Sequence, residues 1–146
     1  MKLLRVGEFG KEKPAALDEE EKIRDLSQHI TDLNPTTLNF ETLEKLQKLD
    51  LKTLPEIPSS IRIGSCIARP GKFLAIGLNY SDHAAETNAE IPKEPILFNK
   101  ASNCIVGPND NVILPKLSKK LDWEVEIAFV VGKDTKYIGE QDAPSH

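Results

Sequence analysis

The chain has 146 residues, 29% charged and 39% hydrophobic, with a formal net charge of −4 and a pI near 5.4. That composition suits one ordinary globular domain or two small ones, and argues against a basic nucleic-acid-binding surface. No apolar run approaches the roughly 20 residues that span a bilayer, so no membrane association is expected.

Met1-Lys2-Leu3-Leu4-Arg5 is too short for a signal-peptide core, and Arg5 interrupts it. Cys66 and Cys104, the only cysteines, make neither a disulfide framework nor a metal-ligand cluster. Each is expected to be a small buried apolar side chain in a reducing compartment, and the chain is read as cytoplasmic.

In chain order, residues 2–6 and 14–18 are predicted strands, joined by a turn containing Gly7 and Gly10, and residues 22–26 a third. Asn34-Pro35-Thr36 offers a helix start, with a capping side chain and a proline suited to the first turn. Phe40, Leu43, Leu46 and Leu49 recur every third residue, which predicts a short helix with a narrow apolar stripe. Leu54-Pro55-Glu56-Ile57-Pro58 cannot continue that helix and is expected to run extended. A boundary near residues 55–65 then separates a small α/β domain, residues 1–60, from a second domain, residues 61–146. His29 lies in the first with no evident partner and is read as structural or surface.

The second region opens with a predicted buried strand over residues 72–77. Ser81 or Asp82 is placed to cap a short helix over residues 81–87, and Pro92 keeps it short. His83 and Glu86 are three apart, so a helix sets them side by side. A carboxylate beside an imidazole orients it and favours its protonated form, as in general-base pairs; the plain alternative is a surface pair. Residues 95–100 form a further predicted strand ending in Lys100, either a solvated strand end or a point charge for an anionic substrate. Gly107-Pro108-Asn109-Asp110 is a turn signal. A short strand is expected at residues 112–114 and a last short element at 137–139, separated by a polar loop from Lys116 to Lys120 and the segment described next.

Leu121 to Val131 alternates as a strand should. Trp123, Val125, Ile127, Phe129 and Val131 form one apolar set, while Asp122, Glu124 and Glu126 begin the other. On a strand Glu124 and Glu126 share a face roughly 6.6 Å apart, at about 3.3 Å per residue. Two carboxylates held together raise each other's pKa unless a cation is present, so a hard divalent ion is a natural partner; the plain alternative is a solvated acidic face.

Read together, Gly77-Leu78-Asn79-Tyr80-Ser81-Asp82-His83-Ala84-Ala85-Glu86, Glu94-Pro95-Ile96-Leu97-Phe98-Asn99-Lys100, Gly107-Pro108 and Asp122-Trp123-Glu124-Val125-Glu126 follow one order and spacing that resembles the fumarylacetoacetate hydrolase family. The likeness covers about residues 60–146, and the first 60 resemble the small N-terminal domain of many bacterial members. The resemblance implies an α+β protein: the small N-terminal α/β domain followed by an incomplete mixed β-roll. It implies a Mg²⁺ or Mn²⁺ cofactor with Glu124 and Glu126 as metal ligands, His83 and Glu86 as a water-activating catalytic dyad on a mobile lid, and Lys100 near the substrate. The implied enzyme is a hydrolase, lyase or isomerase of 2-oxo or 2,4-dioxo acids, a homodimer at full length. A ureidoglycolate lyase-type activity is the alternative, and a non-catalytic truncated fragment is another. The family's third metal ligand, a downstream aspartate, has no counterpart here: neither Asp134 nor Asp142 matches it in context. The chain is therefore expected to represent about the first half of a member, inactive alone.

Overall fold

The computed structural model describes all 146 residues and is a mixture of helices and antiparallel strands, an α+β protein. The chain divides into two compact units, Met1–Ala68 with Val106–His146, and Arg69–Ile105.

In the first unit, β1 (Lys2–Val6), β2 (Lys13–Leu17), β3 (Ile23–Asp25) and β4 (Glu56–Ile57) form an antiparallel sheet in that order. The first three are the strands expected from alternation, each shifted by no more than a residue. Gly7 and Gly10 hold φ of 125° and 76° in the β1–β2 turn, values that a side chain would oppose. The register pairs Leu3 with Ala16 and Leu4 with Ala15. Successive side chains on one strand therefore enter two different cores. Val6, Ala15, Ile23 and Ile57 pack on one face, covered by Ile61 and Ile63. Ala16, Leu26 and Leu46 pack on the other.

Leu46 comes from α1 (Phe40–Gln47). The helix begins five residues later than the Asn34-Pro35 signal suggests, because two short side chains divide the task. Asn34 Oδ1 accepts from the backbone N–H groups of Thr36 and Thr37 and shapes a turn. Asn39 Oδ1 accepts from Thr42 N–H at 2.9 Å and is the actual cap. Leu46 alone of the expected stripe is fully buried; Phe40 is 41% exposed. The predicted extended run after the helix appears as β4.

On the outer side of β1, Gly7 N–H donates to the Arg62 carbonyl and Gly64 N–H to the Arg5 carbonyl, with a bridge between Val6 and Ile63. Residues 62–64 thus satisfy the edge of β1.

The second unit holds β5 (Phe73–Gly77), α2 (Ser81–Glu86) and β6 (Ile96–Lys100). All three were expected from the sequence, but β5 is not the buried strand expected there: Leu74 and Ile76 are exposed, because a two-stranded sheet leaves its faces open. Cys66 and Cys104, expected to be buried, are likewise exposed. The two strands pair antiparallel, Phe73 with Lys100 through Gly77 with Ile96.

The expected strand at 121–131 is not formed, nor is the one at 112–114, and residues 137–139 take no regular structure. The whole of 121–131 is exposed; Trp123 is 81% and Phe129 86% accessible. A strand exists only against a hydrogen-bonding neighbour, and here no other strand pairs with this stretch. The last residues, Glu140–Ser145, form a 3₁₀ turn.

Candidate catalytic and metal-ligating residues

α2 begins after Tyr80, which supplies no side-chain cap, so neither Ser81 nor Asp82 is the N-cap. Asp82 Oδ1 instead accepts from the adjoining N–H of His83 at 2.9 Å. The helix is secured at its other end. Ala89 N–H donates to the Ala84 carbonyl at 2.9 Å and Asn88 N–H to the Ala85 carbonyl at 3.1 Å, with Asn88 left-handed at φ 51°. This is a Schellman closure with asparagine where glycine is usual. Thr87 Oγ1 adds a hydrogen bond to the His83 carbonyl at 2.9 Å. Leu78, between β5 and α2, is also left-handed at φ 50°, a costly conformation for a bulky residue.

Ala84 is the buried anchor of α2, while His83 and Glu86 are both exposed. Their i, i+3 spacing is as expected, but no hydrogen bond or ion pair joins them in this structure. Lys100 ends β6, partly buried, with its ammonium 5.9 Å from the centroid of the Phe98 ring on the same face.

Glu124 and Glu126 lie in the first unit, on exposed backbone without regular structure. As hard oxygen donors they fit Mg²⁺ or Mn²⁺ in chemistry. They do not fit in number, because nowhere in the chain do three His, Cys, Asp or Glu side chains gather closely enough to hold an ion.

The densest electrostatic feature is one that periodicity did not reveal. Arg5, only 6% exposed, pairs with Asp32 through two hydrogen bonds and reaches Glu12 Oε2 at 3.4 Å. Glu12 Oε1 accepts from Arg62 Nη1 at 2.8 Å. Arg62 in turn holds Asp110 through Nε at 2.8 Å and Nη2 at 2.6 Å. The result is a continuous line, Asp32–Arg5–Glu12–Arg62–Asp110. Burial would push the Glu12 carboxyl up, but the Arg62 hydrogen bond and the charges of Arg5 and Arg62 hold it below its usual range. Asp110 is likewise lowered, chiefly by the Arg62 hydrogen bond and then by Gly107 N–H. The same two carboxylates reinforce the Arg62 charge. A lone arginine inside the apolar run Leu3-Leu4-Arg5-Val6 was the available signal, since a buried charge implies a partner.

A family model described as Fumarylacetoacetate (FAA) hydrolase C-terminal matches residues 72–146, a stretch containing all five residues singled out above. The chain belongs to the fumarylacetoacetate hydrolase family. It is 49% identical over 140 residues to a protein named "Putative hydrolase" from Burkholderia ambifaria, covering 96% of this chain and 50% of that one. A counterpart from Burkholderia multivorans is 50% identical over the same shares. The chain thus spans about half the length of the curated relatives it matches. Among solved structures, "a putative HpcE protein from Mycobacterium smegmatis" superposes with a TM-score of 0.60 at 23% identity, over 80% of this chain and 41% of the other. That likeness concerns the fold. No helix is long and apolar enough to cross a membrane.

Proposed function

We propose that this chain carries half of the catalytic apparatus of a divalent-metal-dependent enzyme that cleaves or rearranges 2-oxo or 2,4-dioxo acids. The observation that carries the reading is the family match over residues 72–146, which holds the His83/Glu86 pair and the Glu124/Glu126 pair in one continuous stretch. In this reading Glu124 and Glu126 are two ligands of Mg²⁺ or Mn²⁺, an ion whose chemistry is to polarise a bound carbonyl. His83 accepts a proton from the attacking water at an imidazole nitrogen, with Glu86 orienting the ring. Lys100 attracts the substrate carboxylate as a point charge. Glu86 must swing toward His83 for this, a movement open to two exposed side chains on one helical turn. The mixed β-roll around the site, the homodimer and the cytoplasmic setting belong to the same proposal.

Residues 1–146 alone are proposed to be inactive, because a third ligand does not join Glu124 and Glu126. The lack of regular structure over 121–131 also favours a second reading, in which the chain has no catalytic role.

The test is a chimera in which this chain replaces the matching half of the Burkholderia ambifaria relative. The chimera and residues 1–146 alone are assayed with Mg²⁺ or Mn²⁺ against oxaloacetate and acylpyruvates. Metal-dependent turnover by the chimera, and none by the chain alone, is expected. A folded chimera with no turnover on any 2-oxo acid would overturn the proposal and leave the non-catalytic reading.

A further inference from the structure

Trp123, Val125, Ile127, Phe129 and Val131 are each at least 60% accessible, and no strand of the chain pairs with the stretch that carries them. Residues 119–132 contain no helix, turn or bend, and none of residues 121–131 has a positive φ. Exposed backbone of this kind, with β-branched and aromatic side chains at alternate positions, is a template on which another chain can add a strand. The order of the residues selects which strand fits.

We propose that residues 121–131 pair with the same residues of a second copy of this chain, antiparallel and centred on Ile127. In that register Ile127 faces its own copy, Trp123 faces Val131, and Val125 faces Phe129. Each aromatic ring then lies against a valine, a favourable cross-strand combination. On the other face Glu126 is opposite Ala128, Glu124 opposite Val130 and Asp122 opposite Gly132, and the exposed Lys120 falls opposite the exposed Asp134 at both ends. No like charges are opposed, and Glu126 meets its own copy only on the diagonal, about 7–8 Å away. Neighbouring registers lose this match. A slip of one residue turns the apolar row of each copy onto the acidic row of the other. A slip of two opposes Glu126 to Glu126 in one direction and Asp122 to Asp134 in the other, and a slip of four opposes Glu124 to Glu126 or to Asp134. The pairing is isologous, so every contact occurs twice and two copies satisfy it. It asks nothing of Glu124 and Glu126 as metal ligands and stands independently of the catalytic reading.

The experiment is sedimentation velocity on the 146-residue protein over a range of concentrations, where a monomer–dimer equilibrium is expected. Ala128→Lys sets an ammonium opposite Glu126 twice and should tighten the dimer, while Ala128→Glu sets a carboxylate there and should loosen it. Each change is expected to be about 2–30-fold, since two cross-strand pairs are altered. Ala128 is exposed, so neither variant disturbs a core. Register is read by oxidation, with the exposed Cys66 and Cys104 replaced by serine. Ile127→Cys should form a disulfide with its own copy, the opposed Cα atoms lying about 4.5–5.5 Å apart. Val125→Cys alone should not, because its copy lies four residues along the strand, roughly 13 Å away; mixed with Phe129→Cys it should. A chain that stays monomeric at every concentration would overturn the proposal, as would a dimer that responds equally to the two charges at Ala128 or that oxidises through Val125→Cys and not through Ile127→Cys. If the chain instead binds the remaining half of the Burkholderia ambifaria relative, supplied separately, and never itself, the occupant is that half and self-pairing falls.

Discussion

Arg5 and Asp32 face each other as fork and carboxylate, Nε to Oδ1 at 2.7 Å and Nη2 to Oδ2 at 3.1 Å, with Arg5 nearly sealed from solvent. The remaining donor of Arg5, Nη1, is taken by the hydroxyl and carbonyl of Ser65. Every nitrogen of a buried charge is therefore answered, the condition under which such a charge is tolerated.

Removing one side of this arrangement leaves its partners uncompensated. Arg5→Ala is expected to destabilise the protein by about 3–5 kcal/mol, the usual consequence of stranding half of a buried ion pair. Urea denaturation measures it. A loss below about 1 kcal/mol would mean that water replaces the guanidinium freely.

Acid should undo the same line of charges. Glu12 and Asp110 are held below their ordinary values of 4.5 and 3.8. Asp18 is lowered too, burial being outweighed by hydrogen bonds from Lys22 N–H and Arg24. A depressed carboxyl contributes stability that is full above its unfolded pKa and lost as pH falls through the folded one. The Tm is thus expected to be flat from pH 7 to about 5 and to fall steadily below about 4.5. Glu12→Gln should start from a lower Tm and fall less. A Tm that rose on acidification would contradict the assignment.

The first unit's second core depends on one helical residue. Leu46→Ala should cost about 2–5 kcal/mol, since Leu46 is 2% exposed and touches the Ala16/Leu26 core. Asn39→Ala should cost about 1 kcal/mol through the lost cap. Thermal melts of the two single variants test both, and equal effects would mean that α1 contributes its terminus and not its packing.

The left-handed turn at Asn88 closes α2. Asn88→Val places a branched side chain where φ is 51° and should weaken the closure by about 1–2 kcal/mol. Exchange of the Asn88 and Ala89 amides should rise roughly 5–30-fold in consequence. Unchanged protection at these amides would show that the closure does not hold the helix.

In the chimera, His83→Ala is expected to lower turnover about 10²–10⁴-fold, the range for loss of a general base, with Mn²⁺ affinity unchanged. Steady-state kinetics at saturating Mn²⁺ decide it. Loss of metal binding with turnover intact would reverse the roles of His83 and the glutamates.

The amino-acid order by itself determined the elements that close over short distances. β1 to β3 follow from alternation and glycine turns, β5, α2 and β6 from short apolar runs and punctuation by polar residues and proline. It also determined the family, because Gly77–Glu86, Glu94–Lys100 and Asp122–Glu126 recur in a set order. Only the tertiary structure decided what joins residues far apart. Arg5 meets Asp32 across 27 positions and Arg62 meets Asp110 across 48, and no periodicity encodes which arginine finds which carboxylate. The segment 121–131 marks the difference most sharply. Its alternation states which side chains want burial, yet a strand is a relation between two stretches of backbone. Without a strand beside them to complete a ladder, the same eleven residues, Leu121 to Val131, remain exposed.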